Sequence, residues 1–256
     1  MPRFSANLGF LWTDRPLLER IDAAARAGFR AVELHWPYEV PAKALRMRLV
    51  ETGLTLVALN TPAGSRPGDF GLGAVPGREA EFRGGCGQAI AYALDAGAGA
   101  IHVMAGLVAA ENRAHARLTF LDNLRAILPA AEKAGLTLLL EPINHRDRPG
   151  YFYDRIAEAV AIVEALGSPA VKVMFDCYHV GITEGDVPGL LERHFGRIGH
   201  IQIAAVPSRA EPDEGTLDYA SVFATLDRLG YAGWVGAEYK PRGDTDAGLG
   251  WMPGRP

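Results

Sequence analysis

Eight short apolar runs, each separated from the next by a stretch of helical periodicity, run through this chain of 256 residues. They cover residues 4–8, 31–35, 55–60, 100–104, 137–141, 171–176, 200–203 and 234–238. Runs of this length read as strands. Between them, apolar residues recur at three- and four-residue steps, as in Leu17, Leu18, Ile21 and Ala25, or Ile156, Val160, Val163 and Leu166. That spacing builds one face of a helix. Gly28, Gly53, Gly97, Gly135, Gly167 and Gly230 follow most of these segments within a residue or two, where a left-handed conformation ends a helix. Alternating strand and helix implies a parallel sheet covered by helices. Eight such units in about 250 residues predict a closed (β/α)8 barrel of the TIM type. The rival is an open, doubly wound sheet. No Gly-x-Gly-x-x-Gly follows the first run, and Gly71-Leu-Gly73 lies in a long loop without the strand-to-helix context that motif needs. No Pro/Gly/Ser linker or low-complexity stretch divides the chain, so residues 1–256 read as a single domain.

Four of the runs end in an oxygen-bearing side chain: Glu141, Asp176, Gln202 and Glu238. In a barrel these ends meet at one mouth, the face that carries the chemistry. Carboxylate and amide oxygens suit a hard divalent cation, Mg²⁺ or Mn²⁺, better than zinc. Without a cation, three converging carboxylates repel and raise one another's proton affinity. Glu141 and Glu238 fall on the fifth and eighth strands, which are expected to face one another across the mouth with a small substrate between them. Such a pair can take a proton from one carbon and return it to the next.

Other polar residues surround this set. Glu141-Pro-Ile-Asn144-His145 carries Asn144 into the loop over the site, and Asp176-Cys-Tyr-His179 places a histidine three residues beyond a ligand. Both are candidate substrate contacts. His200 and Gln202 share one strand face, with His200 deeper and equally suited to a hydrogen-bonded core position. An acidic substrate needs a cation to hold it, and Arg209 and Lys240 are the candidates; Arg78 and Arg242 read more simply as surface charges. Two long loops, 61–77 and 204–217, reach the same face.

The bulk numbers exclude several classes. A net charge of −4 gives no support for a nucleic-acid partner or an anionic membrane surface. No run approaches the ~18 apolar residues of a membrane span. Cys86 and Cys177 lack CxxC spacing, and no basic, then apolar, leader precedes the first strand, so the expected compartment is cytoplasmic.

Particular stretches also resemble a known family. They are Arg3-Phe-Ser-Ala-Asn-Leu8, Gly28-Phe-Arg-Ala-Val-Glu33, Pro76-Gly-Arg-Glu-Ala-Glu-Phe82, Glu141-Pro-Ile-Asn-His145, Gly199-His-Ile-Gln-Ile-Ala204 and Gly233-Trp-Val-Gly-Ala-Glu-Tyr-Lys-Pro241. Together, over nearly the whole chain, they resemble hydroxypyruvate isomerases, within the xylose-isomerase-like barrels. The resemblance implies interconversion of hydroxypyruvate and tartronate semialdehyde through an enediol. It implies a metal at Glu141, Asp176, Gln202 and Glu238, with Glu141 and Glu238 as the acid–base pair. Residues 203–215, His102-Val-Met-Ala-Gly106 and Tyr239-Lys-Pro-Arg-Gly243 look more like the sister 2-oxo-tetronate isomerases. The expected partner is therefore a small hydroxy-oxo acid of three or four carbons. A homo-oligomer is common among such barrels. A ketose 3-epimerase-like sugar isomerase would use the same groups. An endonuclease IV-like nuclease would need a three-zinc site rich in histidine, and the seven histidines here are scattered.

Overall fold

Every expected run forms a strand in the computed structural model, which describes residues 2–252. The strands are β1 (Arg3–Asn7), β2 (Ala31–Leu34), β3 (Thr55–Asn60), β4 (Ala100–His102), β5 (Thr137–Leu140), β6 (Val171–Asp176), β7 (Ile198–Ile203) and β8 (Trp234–Ala237). All pair in parallel in sequence order, and β1 against β8, with Ser5 opposite Gly236, closes the barrel. The helices are α1 (Leu17–Arg26), α2 (Ala42–Thr52), α3 (Glu79–Ala96), α4 (Arg113–Ala134), α5 (Ile156–Leu166), α6 (Cys177–Thr183), α7 (Val187–His194) and α8 (Tyr219–Arg228). Gly53, Gly97, Gly135 and Gly167 close α2 to α5 in the left-handed region, as their spacing predicts.

Three details differ from the sequence reading. Several strands stop one or two residues early, so Glu141 and Glu238 sit just past β5 and β8. After Glu141 comes Pro142, which has no N–H to continue a ladder. The stretch after Asp176, which carried no helical pattern, is a helix: Asp176 Oδ1 accepts from the Tyr178 N–H at 2.8 Å and caps α6. No α-helix follows β8 among the described residues; α6 and α7 both follow β6, and a 3₁₀ turn, Ala247–Trp251, closes the seam instead. There Trp251 packs edge-on against Phe4, and Thr245 and Asp246 accept hydrogen bonds from Trp12.

Alternation along each strand sorts side chains into two cores. Outward residues such as Val32, Ile101, Leu138, Val173, Ile201 and Val235 are buried under the helices. Inward ones build a small apolar layer, Ala58, Ala100, Leu139 and Met174. Ser5, Glu33 and His200 lie buried on the opposite strands. The barrel interior is thus filled below its mouth, and the space that remains lies at the C-terminal ends of the strands.

Candidate active site and metal centre

Two residues past the inner layer on most strands, polar groups line the barrel mouth. Asn7, His35, Asn60, His102, Glu141, Gln202 and Glu238 line a cavity of about 280 Å³ with His179 and Arg209. Ligand atoms of Glu141, Asp176, His179 and Glu238 all lie within 4.8 Å of one another.

The hydrogen bonds decide which atoms are free. Glu33 lies beneath the site and accepts from Ser5 Oγ at 2.7 Å and Gln202 Nε2 at 2.7 Å, with His200 Nε2 at 3.2 Å. That commits the Gln202 amide nitrogen and leaves Gln202 Oε1 buried without a partner. Asp176 spends Oδ1 on its helix cap and leaves Oδ2 unpartnered; Glu141 Oε1 is unpartnered as well. Three buried acceptor oxygens with no donor are costly in a folded protein unless a cation takes them. The buried cluster of Glu141, Asp176, His179 and Glu238 could hold a metal ion, and oxygens of this kind suit a hard divalent cation.

His179 has another part. The backbone N–H of Asn144 donates to His179 Nδ1 at 3.3 Å, and the Asn144 side-chain amide reaches the same atom at 2.6 Å. With Nδ1 accepting, the ring proton sits on Nε2, 3.6 Å from Glu141 Oε1 and 3.5 Å from Asp176 Oδ2. In this tautomer His179 presents an N–H to the carboxylate cluster. Asn144 is buried behind it, does not line the cavity and contacts His179.

Glu238 is the most heavily satisfied carboxylate. Its Oε1 accepts from Asn7 Nδ2 at 2.9 Å and lies 2.9 Å from His35 Nε2, while Arg209 Nη2 donates to Oε2 at 2.8 Å. Arg209 also reaches Asp147 at 3.1 Å and lies across the rings of Phe10 and Tyr178. Burial pushes the Glu238 carboxyl up, but the His35 hydrogen bond and the Arg209 charge outweigh it and hold the group at about 2. Glu141 goes the other way. Burial, then repulsion from Glu238 and Asp176, raises it well above the carboxylate range. Burial and the Glu238 charge raise Asp176 to about 7. Burial keeps His102 and His179 neutral, with His102 pushed down to about 4.

The remaining cations fall away from the site. Lys240 is exposed and does not line the cavity; its backbone N–H donates to the Arg209 carbonyl. Arg78 pairs with Asp69 and Glu81, and Arg242 with Glu211, Asp213 and Glu214. His200 is the buried, hydrogen-bonded core residue that its depth allowed. The sequence reading missed Asn7, Glu33, His35 and His102. The inward period-two alternation that picked Gln202 also reaches Asn7 and His102, but neutral or lone polar residues carry no pattern of their own. Glu33 sits one layer too deep to look like a ligand.

Comparison with known proteins places this geometry among relatives. A family profile described as xylose isomerase-like TIM barrel matches residues 21–254. The chain is 51% identical over 254 residues to a 2-oxo-tetronate isomerase of Cupriavidus necator, covering 98% of each. It is 43% identical over 259 residues to a putative hydroxypyruvate isomerase of Homo sapiens, covering 98% of this chain and 94% of that one. A crystal structure described as an AP endonuclease, family 2, from Brucella melitensis superposes with a TM-score of 0.97 at 42% identity, over all of both chains.

Proposed function

This chain belongs to the xylose isomerase-like TIM barrel family, and on that premise we propose that it is a divalent-metal-dependent isomerase of a short hydroxy-oxo acid. The observation that carries the reading is the set of three orphaned acceptor oxygens, on Glu141, Asp176 and Gln202: Glu141, Gln202 and Glu238 line one cavity, and a ligand atom of Asp176 lies within 4.8 Å of those of Glu141 and Glu238. Mg²⁺ or Mn²⁺ bound there would polarise the substrate carbonyl and offset the negative charge that develops as an adjacent C–H bond breaks. The residues supply the rest. Glu141 and Glu238 present carboxylates whose environments push their proton affinities apart, the division an acid–base relay requires. One takes a proton from the carbon beside the carbonyl, and the other delivers a proton to the neighbouring carbon of the enediol. His179 offers its Nε2–H to a substrate oxygen. Arg209, held by Glu238 and Asp147, steadies the relay carboxylate and excludes water from one side.

The 51% identity with a 2-oxo-tetronate isomerase favours the four-carbon acid as substrate. The stretch Glu141-Pro-Ile-Asn-His145 favours hydroxypyruvate and its conversion to tartronate semialdehyde. Steady-state kinetics with both acids, in Mg²⁺ or Mn²⁺ and again after EDTA, separates the two. A kcat/KM at least tenfold higher for 2-oxo-tetronate, lost with EDTA, supports the first order of preference. A higher value for hydroxypyruvate reverses it. The nuclease reading has little to stand on: among the described residues the metal-like cluster is a single one and holds one histidine, His179.

A further inference from the structure

We propose that Arg148 is the substrate's carboxylate anchor, an inference that rests on the reading of this site as one for a hydroxy-oxo acid. Four carboxylates, Glu33, Glu141, Asp176 and Glu238, lie buried at or below the cavity. They repel an entering anion, so an acidic substrate needs positive charge at the mouth that is not already spent. Of the two arginines that line the cavity, Arg209 is spent on Glu238 and Asp147. Arg148 is not: among the described residues no acidic side chain pairs with its guanidinium, and it donates no side-chain hydrogen bond.

The group is nonetheless held in place. Its guanidinium carbon lies 4.0 Å from the centroid of the Phe70 ring, and Phe70 also lines the cavity. Cation–π stacking fixes the plane of a guanidinium while leaving its N–H edge free to fork onto a carboxylate. Phe70 is itself braced, edge-on, by Trp36 and Tyr151. The backbone of Arg148 is tied on both sides, its N–H donating to the Asn144 carbonyl at 3.1 Å and its carbonyl accepting from the Tyr151 N–H at 3.1 Å. Loop 61–77 thus supplies the platform, and the loop after β5 supplies the charge. A hydroxy-oxo acid sits with its reacting carbons at Glu141 and Glu238 and its carboxylate at Arg148. A neutral ketose of the same length leaves Arg148 unused.

Arg148 is exposed, so Arg148→Met and Arg148→Lys are expected to fold. In the cation-loaded protein, Arg148→Met should raise KM for the acid roughly 10- to 100-fold, the worth of a charge-assisted pair, with kcat within threefold. Arg148→Lys should fall between, since it keeps the charge but loses the fork. The dependence of KM on salt should weaken in Arg148→Met. An unchanged KM, or a fall in kcat alone, overturns the proposal. Equilibrium binding of glycerate, an unreactive hydroxy acid, is measured beside the kinetics. If the wild-type protein turns over no oxo acid, the proposed function fails while this readout still decides the anchor. Weaker glycerate binding in Arg148→Met supports it, and equal binding overturns it.

Discussion

At the scale of single residues, the site is built by commitment: each polar atom that is used up aims another at the cavity. Glu33 takes the Gln202 amide nitrogen, so the Gln202 oxygen is the free end. Asn144 takes His179 Nδ1, so the ring proton faces Glu141 and Asp176. Asn144→Ala removes the shorter, side-chain hydrogen bond to His179 Nδ1 and leaves the backbone N–H as its donor. It should cost about 0.5–1.5 kcal/mol of stability and leave the ring proton on Nε2, which ¹⁵N chemical shifts read directly; a proton on Nδ1 contradicts the account. Glu141→Gln keeps the shape and removes the proton carrier. It should lower kcat by about 10²–10⁴, with folding unchanged by circular dichroism. Much of this layer was legible in the sequence, because carboxylates at strand ends stand out against apolar runs. Lys240 was misjudged for a physical reason: the chain turns after Glu238, and its side chain leaves the barrel for solvent. Arg148 stayed hidden because a loop arginine carries no periodicity, and only the Phe70 ring beneath it gives it away.

At the scale of elements, β8 shows how a strand makes room for chemistry. A Cβ added to Gly236 would meet Glu33 Oε1 at 2.1 Å. Glu33 is fixed by Ser5, His200 and Gln202, so it has nowhere to retreat. Gly236→Ala should therefore cost about 1–3 kcal/mol. It should also weaken Mn²⁺ binding roughly 10- to 100-fold through the displaced Gln202, as calorimetry would show. Wild-type affinity in this variant would mean that Glu33 does not orient the ligand. The eight strands could be read from the sequence because inward and outward neighbours give each run a continuous apolar character. The ends could not, because a strand's last pairing depends on the loop that leaves it. The helical character of residues 177–183 was missed because its capping carboxylate, Asp176, also looks like a metal ligand.

At the scale of the whole molecule, stability and cation binding are linked through protons. Asp176 rises from 3.8 to about 7 in the folded, cation-free barrel, and Glu141 rises with it. A folded-state rise in a carboxyl means that the native state binds the proton more tightly. Stability is then greatest below the unfolded value and falls as pH climbs through that window. Glu238, lowered from 4.5 to about 2, has the opposite sign, and its contribution is lost only as pH falls below 4.5. The chelated protein should lose several degrees of Tm between pH 5 and pH 7.5, and Mn²⁺ should restore them by replacing the protons. A flat Tm across that range, or no response to Mn²⁺, would count against the three-carboxylate centre. Barrel closure itself followed from eight alternations. The seam did not, because a 3₁₀ turn and the aromatic contact of Phe4 with Trp251 close it without a helix. The most direct test of the central claim is ¹H NMR of the Mn²⁺- or Mg²⁺-loaded protein's products in D₂O, with the spectra read after the paramagnetic ion is removed. The account predicts conversion of 2-oxo-tetronate or hydroxypyruvate to its isomer, with solvent deuterium on the carbon adjacent to the one that lost its proton, and no conversion after EDTA. Deuterium returned only to the original carbon, or no conversion of either acid with the cation bound, would contradict it.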